Sequence, residues 1–185
     1  MKYIFLSLFC LGQWAMLAQS NPLHGYNAQR ISDTRKGMLV LGGWGTANLL
    51  GGGILAATQT GEAKYFHQMN AAWGGVNLGI AALSYFSAKK IDPANFDTFQ
   101  TVKEHYKTEK LFLFNAGVDL GYITAGLWLA ERARRLDKNQ DRWRGYGKSI
   151  AVQGAFLFAF DLANYFVHAR HSKQLKPIVE GLGFT

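Results

Sequence analysis

The chain has 185 residues, of which 49% are hydrophobic, a formal net charge of +8 and a single cysteine, Cys10. This length suits one compact domain, and a single cysteine excludes an intramolecular disulfide framework and a site built from several thiolates. The positive charge is spread over the connections between apolar segments and no nucleic-acid-binding motif is present, so we expect no nucleic-acid partner.

Residues 1–20 have the pattern of a secretory signal peptide. Lys2 supplies the positive start, the apolar run YIFLSLFCLGQWAML follows, and Ala18-Gln19-Ser20 offers the small residues that a signal peptidase reads. Cleavage there would place residues 21–37 outside the cytoplasmic membrane as an extracytoplasmic N-terminal segment. The alternative is an uncleaved N-terminal anchor helix.

Four apolar segments of about twenty residues follow one another after this N-terminal part, and only two acidic residues lie inside them. A helix rises about 1.5 Å per residue, so about twenty residues cross a hydrocarbon core of about 30 Å. Their helices have no charged outer face, which disfavours a soluble bundle. The sequence therefore predicts an all-α, four-helix transmembrane bundle with spans at about 38–58, 65–88, 111–130 and 149–169, and a C-terminal tail at 170–185.

The connections predict how the spans are oriented. Link 59–64 is short and predicts a tight hairpin, whereas 89–110 contains Asp92-Pro93, which favours a helix start, and we expect that helix to lie on the membrane surface. Loop 131–148 carries seven Lys or Arg against three acids, as is typical of a cytoplasmic loop. With the signal peptide, this predicts a multi-pass protein of the bacterial inner (cytoplasmic) membrane.

Small residues recur at four-residue spacing in the first three spans. Glycine and alanine at this spacing allow helix backbones to approach closely in lipid. We therefore expect close helix contacts along Gly43-Ala47-Gly51, Ala71-Gly75-Gly79 and Gly117-Gly121-Ala125.

Each predicted span contains one Asn or Asp followed by leucine. The second and third spans repeat the pattern as GVNLG at 75–79 and GVDLG at 117–121. Counting about 1.5 Å per residue from the predicted span ends places all four groups near the middle of the bilayer. The sequence predicts a buried polar layer of Asn48, Asn77, Asp119 and Asp161.

Further polar residues share the helix faces that carry this layer. Residues three or four apart lie on the same face of a helix. This spacing predicts a supporting polar stripe made of His67, Asn70, Asn115, Tyr122, Gln153 and Asn164.

Two functions fit such a layer. Asn and Asp in membrane helices commonly join helices by hydrogen bonds, which favours a non-enzymatic structural or accessory membrane subunit. No Lys or Arg lies in any span, so we expect at least one of Asp119 and Asp161 to carry a proton. The alternative function is therefore a small oligomeric module, transporter or channel, that moves protons or cations through these two residues.

No catalytic residue, cofactor or metal is predicted. His168 and His171 lie three residues apart, but the sequence shows no further ligands beside them. The partners that we expect are the lipid bilayer and a second copy or another membrane protein.

The segments YFHQMN at 65–70 and GYGKSIAVQGAFLFAFD at 145–161 carry a resemblance to a known family. The chain resembles a family of small four-span bacterial integral membrane proteins with no assigned function, over roughly residues 30–170. The resemblance implies the same helical fold and transfers no catalytic residue.

Overall fold

The computed structural model describes residues 22–181 and Gly183, so the expected signal peptide lies outside the described residues. Over this range the chain forms four long helices and no strand. The helices are α1 (Pro22–Thr58), α2 (Gly61–Lys89), α3 (Thr98–Ala133) and α4 (Gln140–Gly181), with a short 3-10 turn at Pro93–Asn95 between α2 and α3.

Local signals in the sequence explain where the helices start. Asp97 caps α3, because its Oδ1 accepts a hydrogen bond of 2.7 Å from the backbone N–H of Gln100. Gly61 and Asn139 have φ values of 58° just before or at the starts of α2 and α4. Glycine adopts this left-handed conformation freely and asparagine tolerates it, so both connections turn sharply.

The helices extend beyond the predicted spans. With 36 residues, α3 is about 54 Å long at 1.5 Å per residue, well over the thickness of a hydrocarbon core. The expected surface helix within 89–110 is wrong, because the helix that begins at Thr98 runs without a break into the third predicted span. Residues 22–37 and 170–181 likewise continue α1 and α4.

Three of the four helices, α1, α3 and α4, are long and apolar enough to cross a membrane. Helix α2 does not belong to this group. It contains the polar residues His67, Gln68, Asn70 and Asn77 together with several glycines, which lower its hydropathy.

Burial in the described part of the chain is the reverse of that in a water-soluble protein. The largest side chains with almost no exposure are polar: His105, His168, Gln153, Asn27, Asn77, Thr101 and Ser149. Large apolar side chains face outward, and Ile54, Leu83 and Phe114 are 66%, 74% and 69% exposed. Contiguous apolar surface of this kind indicates contact with lipid or with another protein.

The four helices form two tightly packed hairpins. Helix α1 packs along α2, α3 packs along α4, and α4 also contacts α2 and α1. Helices α2 and α3 do not pack together, since no pair of their Cα atoms lies within 8 Å. A cleft therefore separates α2 from α3.

Glycines form the seams of both hairpins, but most of them differ from those predicted. A Cβ on Gly45 would lie 2.7 Å from the backbone nitrogen of Leu78, and one on Gly126 would lie 2.5 Å from that of Ala151. The expectation is wrong for the stripes in α1 and α3, because nothing lies within 4 Å of such a Cβ on their glycines: Gly43, Gly51, Gly117 and Gly121. In the α2 stripe it is wrong at Gly79, whereas the backbone of Ala71 does lie against Gly52 of α1. The glycines that do make close contacts, such as Gly45 and Gly126, lie on the helix faces that carry the polar stripe.

We expect Gly74→Ala to destabilise the protein by about 1–3 kcal/mol, because the added methyl group meets the backbone of α1 and forces the helices apart. Gly117→Ala is the matched control, with open space around its Cβ. Thermal unfolding of both variants in detergent tests this. A stable Gly74→Ala protein beside an unstable Gly117→Ala protein would contradict the observed helix rotation.

Candidate functional site

The cleft between α2 and α3 contains a cavity of about 410 Å³. Its walls are mostly apolar, with Met38 and Leu41 from α1, Ile80 from α2 and Phe112 from α3. The rings of Trp73 and Tyr122 meet edge to face at 5.1 Å across the cleft. A concave, mostly apolar site with a few polar groups is the usual form of a small-molecule site.

Three of the four residues predicted as a polar layer line this cavity: Asn77, Asp119 and Asp161. All three are buried, with Asn77 2% and Asp119 3% exposed. Neither Nδ2 of Asn77 nor Oδ2 of Asp119 has a hydrogen-bond partner among the described residues. Since buried polar atoms are almost always paired, these two atoms mark where a bound molecule would form hydrogen bonds.

The carboxyl groups of Asp119 and Asp161 lie within hydrogen-bonding reach of each other. An ionised carboxylate has no hydrogen to donate, so a bond between two carboxyl groups requires a proton on at least one of them. The pair can therefore hold a proton at the wall of the cavity.

Asn48, the fourth residue of the predicted layer, belongs to a different cluster. Its Oδ1 accepts a hydrogen bond of 2.8 Å from Nε2 of Gln153, and the same nitrogen donates to Oδ1 of Asn70 at 3.0 Å. Ser149 donates to Asn70, and the indole N–H of Trp44 donates to Gln153. These bonds join α1, α2 and α4.

The predicted layer is thus divided between two levels of the bundle. Gln153 and Asp161 lie eight residues apart on α4, which corresponds to about 12 Å along its axis. The prediction of one common depth takes the end of each predicted span as its reference point. The helices extend beyond those ends by different lengths, so equal distances from them do not correspond to one level.

The supporting stripe is distributed along the same interior. Asn115 and Tyr122 line the cavity, while Asn70 and Gln153 belong to the hydrogen-bonded cluster with Asn48. Asn164 donates from Nδ2 to the backbone oxygen of Phe160, and its Oδ1 occupies the space that a Cβ on Gly37 would take. His67 lies near the start of α2, does not line the cavity and is half-buried.

A second polar cluster, at the end of the bundle formed by the start of α1, the start of α3 and the end of α4, was not predicted. Ser172 donates to Glu109 at 3.0 Å, and its Oγ lies 2.9 Å from Nε2 of His105. The hydroxyl of Tyr26 lies 2.7 Å from Nδ1 of the same imidazole. This arrangement of donors and acceptors fits a neutral His105 imidazole, which accepts a hydrogen bond from Tyr26 at Nδ1 and donates one from Nε2 to Ser172.

The environment favours the neutral forms of these groups. Burial lowers the pKa of the His105 imidazole, and the charge of Glu109 opposes this only in part. Burial also raises the pKa of the Tyr26 hydroxyl. Glu109 is the acidic member of the cluster and remains partly accessible, with 14% of its side chain exposed.

His168 and His171 lie beside this cluster and are both buried. His171 Nε2 is 3.3 Å from Oδ2 of Asp33, and His168 stacks on Phe112 at a ring distance of 5.6 Å. In the sequence, His168 follows Asn164 by four residues and His171 follows His168 by three. This spacing indicates that both histidines lie on the same face of α4 as Asn164. Within the described residues, no group of three or more His, Cys, Asp or Glu is arranged to hold a metal ion.

We expect stability to fall as the pH drops from about 7 to about 5, and His105→Gln to make this fall shallower. The imidazole of the unfolded chain takes up a proton near the ordinary histidine pKa of 6.5, whereas the folded imidazole has a lowered pKa and resists protonation. Its contribution to stability is therefore fully present above 6.5 and is lost as the pH falls towards the lower pKa of the folded state.

Thermal unfolding across this pH range provides the measurement for that expectation. His24→Gln is the matched control, because His24 lies on α1 but is exposed. Equal pH dependence in the wild-type protein and the His105→Gln variant would contradict a neutral buried imidazole.

Comparisons with known proteins provide one match. The profile of a family of unknown function, DUF6992, matches residues 40–162. The match covers the predicted polar layer and ends before His168, while Arg30 and Tyr26 precede it. No curated protein and no solved structure matches the chain. The chain belongs to the DUF6992 family, whose function is unknown.

Proposed function

We propose that this chain is a non-enzymatic integral membrane protein that binds an amphipathic molecule in the cleft between α2 and α3. The observation that carries the proposal is the pair of unpartnered buried atoms, Asn77 Nδ2 and Asp119 Oδ2, in one largely apolar cavity.

The surface of the helices supports a membrane setting, and we propose that the chain crosses the bacterial inner membrane four times. Helices α1, α3 and α4 meet the length and composition of spans. Helix α2 is less apolar overall, but its outward face carries Val76 and Leu83, with 54% and 74% exposure. Its Asn70 and Asn77 turn inward, so this part of α2 presents a lipid-compatible face alongside the other three helices.

The two unpartnered atoms define the chemistry of the ligand's polar group. Asn77 Nδ2 needs an acceptor, and Asp119 Oδ2 accepts when it carries no proton and donates when it is itself protonated. A hydroxyl group both donates and accepts, so it satisfies both atoms in either state of the acid pair. The remaining apolar wall suits a hydrocarbon chain that enters from the bilayer through the gap between α2 and α3.

The lining of the cavity supports binding rather than catalysis. Within the described residues it contains no histidine, cysteine or lysine. The protein would thus act as an accessory subunit that holds a lipid-like molecule, alone or beside a second copy or another membrane protein.

We expect the wild-type protein to bind a long-chain alcohol about tenfold more tightly than the matching alkane, because hydrogen bonds to Asn77 and Asp119 add about 1.4 kcal/mol. Asn77→Leu should remove this preference. Gln68→Leu should keep it, because Gln68 lies on the same helix, is exposed and does not line the cavity. Native mass spectrometry of the detergent-solubilised full chain measures the affinities. Failure of both compounds to bind would refute the proposal.

The closeness of the Asp119 and Asp161 carboxyl groups in the cavity wall favours a second candidate, a proton- or cation-coupled module. A shared proton in the interior is the chemical feature that such a module uses. One bundle of four helices leaves little room for a proton or cation pathway, so this function requires several copies of the protein.

For this second candidate we expect Asp119→Asn and Asp161→Asn each to reduce proton flux in proteoliposomes to background while the fold persists. Asn substitution keeps the size of the side chain and removes its titratable proton. Asn115→Ala, which alters an uncharged cavity residue, serves as the control. Unchanged flux in both folded Asp variants would eliminate proton transport.

A further inference from the structure

Arg30 lies at the outer end of the same cavity and lacks a counter-charge. The side chain is 6% exposed and lines the cavity wall. Within the described residues, no carboxylate forms an ion pair with its guanidinium within 4 Å, and its Nε has no hydrogen-bond partner. A buried charge without a partner is costly.

The neighbours of Arg30 do not replace a counter-ion. One amino group donates to Oδ1 of Asn27 at 3.2 Å, and the guanidinium lies 5.2 Å from the ring centre of Phe96. Glu104 acts on it only through the longer-range field, and burial lowers the pKa of the Arg30 guanidinium. Tyr26, His105 and His168 are the other titratable groups within reach of its charge, and none of them supplies a negative charge.

The cavity connects Arg30 with the polar groups at its deeper end. Gly37 on α1 lies level with Asn164 on α4. Counting about 1.5 Å per residue from this level, Arg30 and Asp161 are about 15 Å apart along the bundle. The wall between them is apolar and includes Ile31, Met38, Leu41, Phe112 and Phe160.

We infer that the ligand is an amphipathic anion whose carboxylate or phosphate group binds Arg30 while its hydrocarbon chain lies along the apolar wall towards Asn77. This inference rests on the proposed function and specifies its ligand class. Arginine suits the role because its planar fork binds carboxylate and phosphate with two parallel hydrogen bonds. The anion supplies the missing counter-charge, and a hydroxyl at the far end of the chain would reach Asn77 and Asp119.

The test compares four compounds on the detergent-solubilised full chain: a fatty acid, the same acid with a hydroxyl at its far end, the matching alcohol and the matching alkyl phosphate. We expect the fatty acid and the alkyl phosphate each to bind about tenfold more tightly than the alcohol, because hydrogen bonds to a charged group are stronger than those to a neutral one. The hydroxylated acid should bind most tightly of all.

Variants separate the two ends of the site. Arg30→Gln should remove the preference for anions, and Arg30→Lys, which keeps the charge, should retain part of it. Arg35→Gln is the matched control, because Arg35 lies on the same helix, bonds to Tyr85 and does not line the cavity. Asn77→Leu should remove only the gain from the terminal hydroxyl.

Each outcome has a defined meaning. Equal binding of acid and alcohol to the wild-type protein would overturn this inference and leave the proposed function intact. Failure of all compounds to bind would overturn both. Inorganic phosphate that competes as strongly as the alkyl phosphate would show that the site takes a free anion, which also overturns an amphipathic ligand.

Discussion

The hydrogen bonds of Gln153 are the interaction on which the arrangement of the helices depends. This fully buried amide on α4 receives a bond from Trp44, donates to Asn48 and donates to Asn70, so one side chain joins α1, α2 and α4. An unpaired amide in the same place would cost the full desolvation penalty. Because its three partners come from two other helices, those bonds form only when all three helices have the observed rotation and register.

The glycine seams bring the backbones close enough for these bonds. Gly45 and Gly52 lie on either side of Asn48 on α1, and a Cβ on either would lie less than 3 Å from the backbone of α2. Helix α3 reaches α4 through Gly126 in the same way. Since α4 contacts every other helix while α2 and α3 remain apart, close packing elsewhere leaves one open cleft.

The cleft differs from the cluster around Gln153 because its polar groups are not fully paired. Around Gln153 each amide has a partner, whereas Asn77 Nδ2 and Asp119 Oδ2 have none among the described residues. At the outer end of the cavity, Nε of Arg30 also has no hydrogen-bond partner among the described residues. Polar atoms that are satisfied fasten helices together, and polar atoms that are left over in a cavity point to a ligand. The same residue types thus have structural and binding roles at two levels of one bundle.

Much of this arrangement was visible in the sequence. Hydrophobic runs predicted the helices, and three-and-four spacing placed Asn77, Asp119 and Gln153 on inward faces. The sequence did not show which glycines touch a neighbour, because small residues at four-residue spacing occur on both the inner and the outer faces of α1 and α3. It did not reveal the cluster around His105, whose members lie up to 146 residues apart, from Tyr26 to Ser172.

The sequence by itself determined the helical class, the apolar outer surface and the inward polar stripes, because these follow from the order of residues along one helix. Tertiary structure decided that Asn48 pairs with Gln153, that Asn77 shares a cavity with Asp119 and Asp161, and that Arg30 completes that cavity. These choices depend on the axial register and rotation of each helix against its neighbours. Register is set jointly by glycine contacts and hydrogen bonds between helices, and no single segment contains that information.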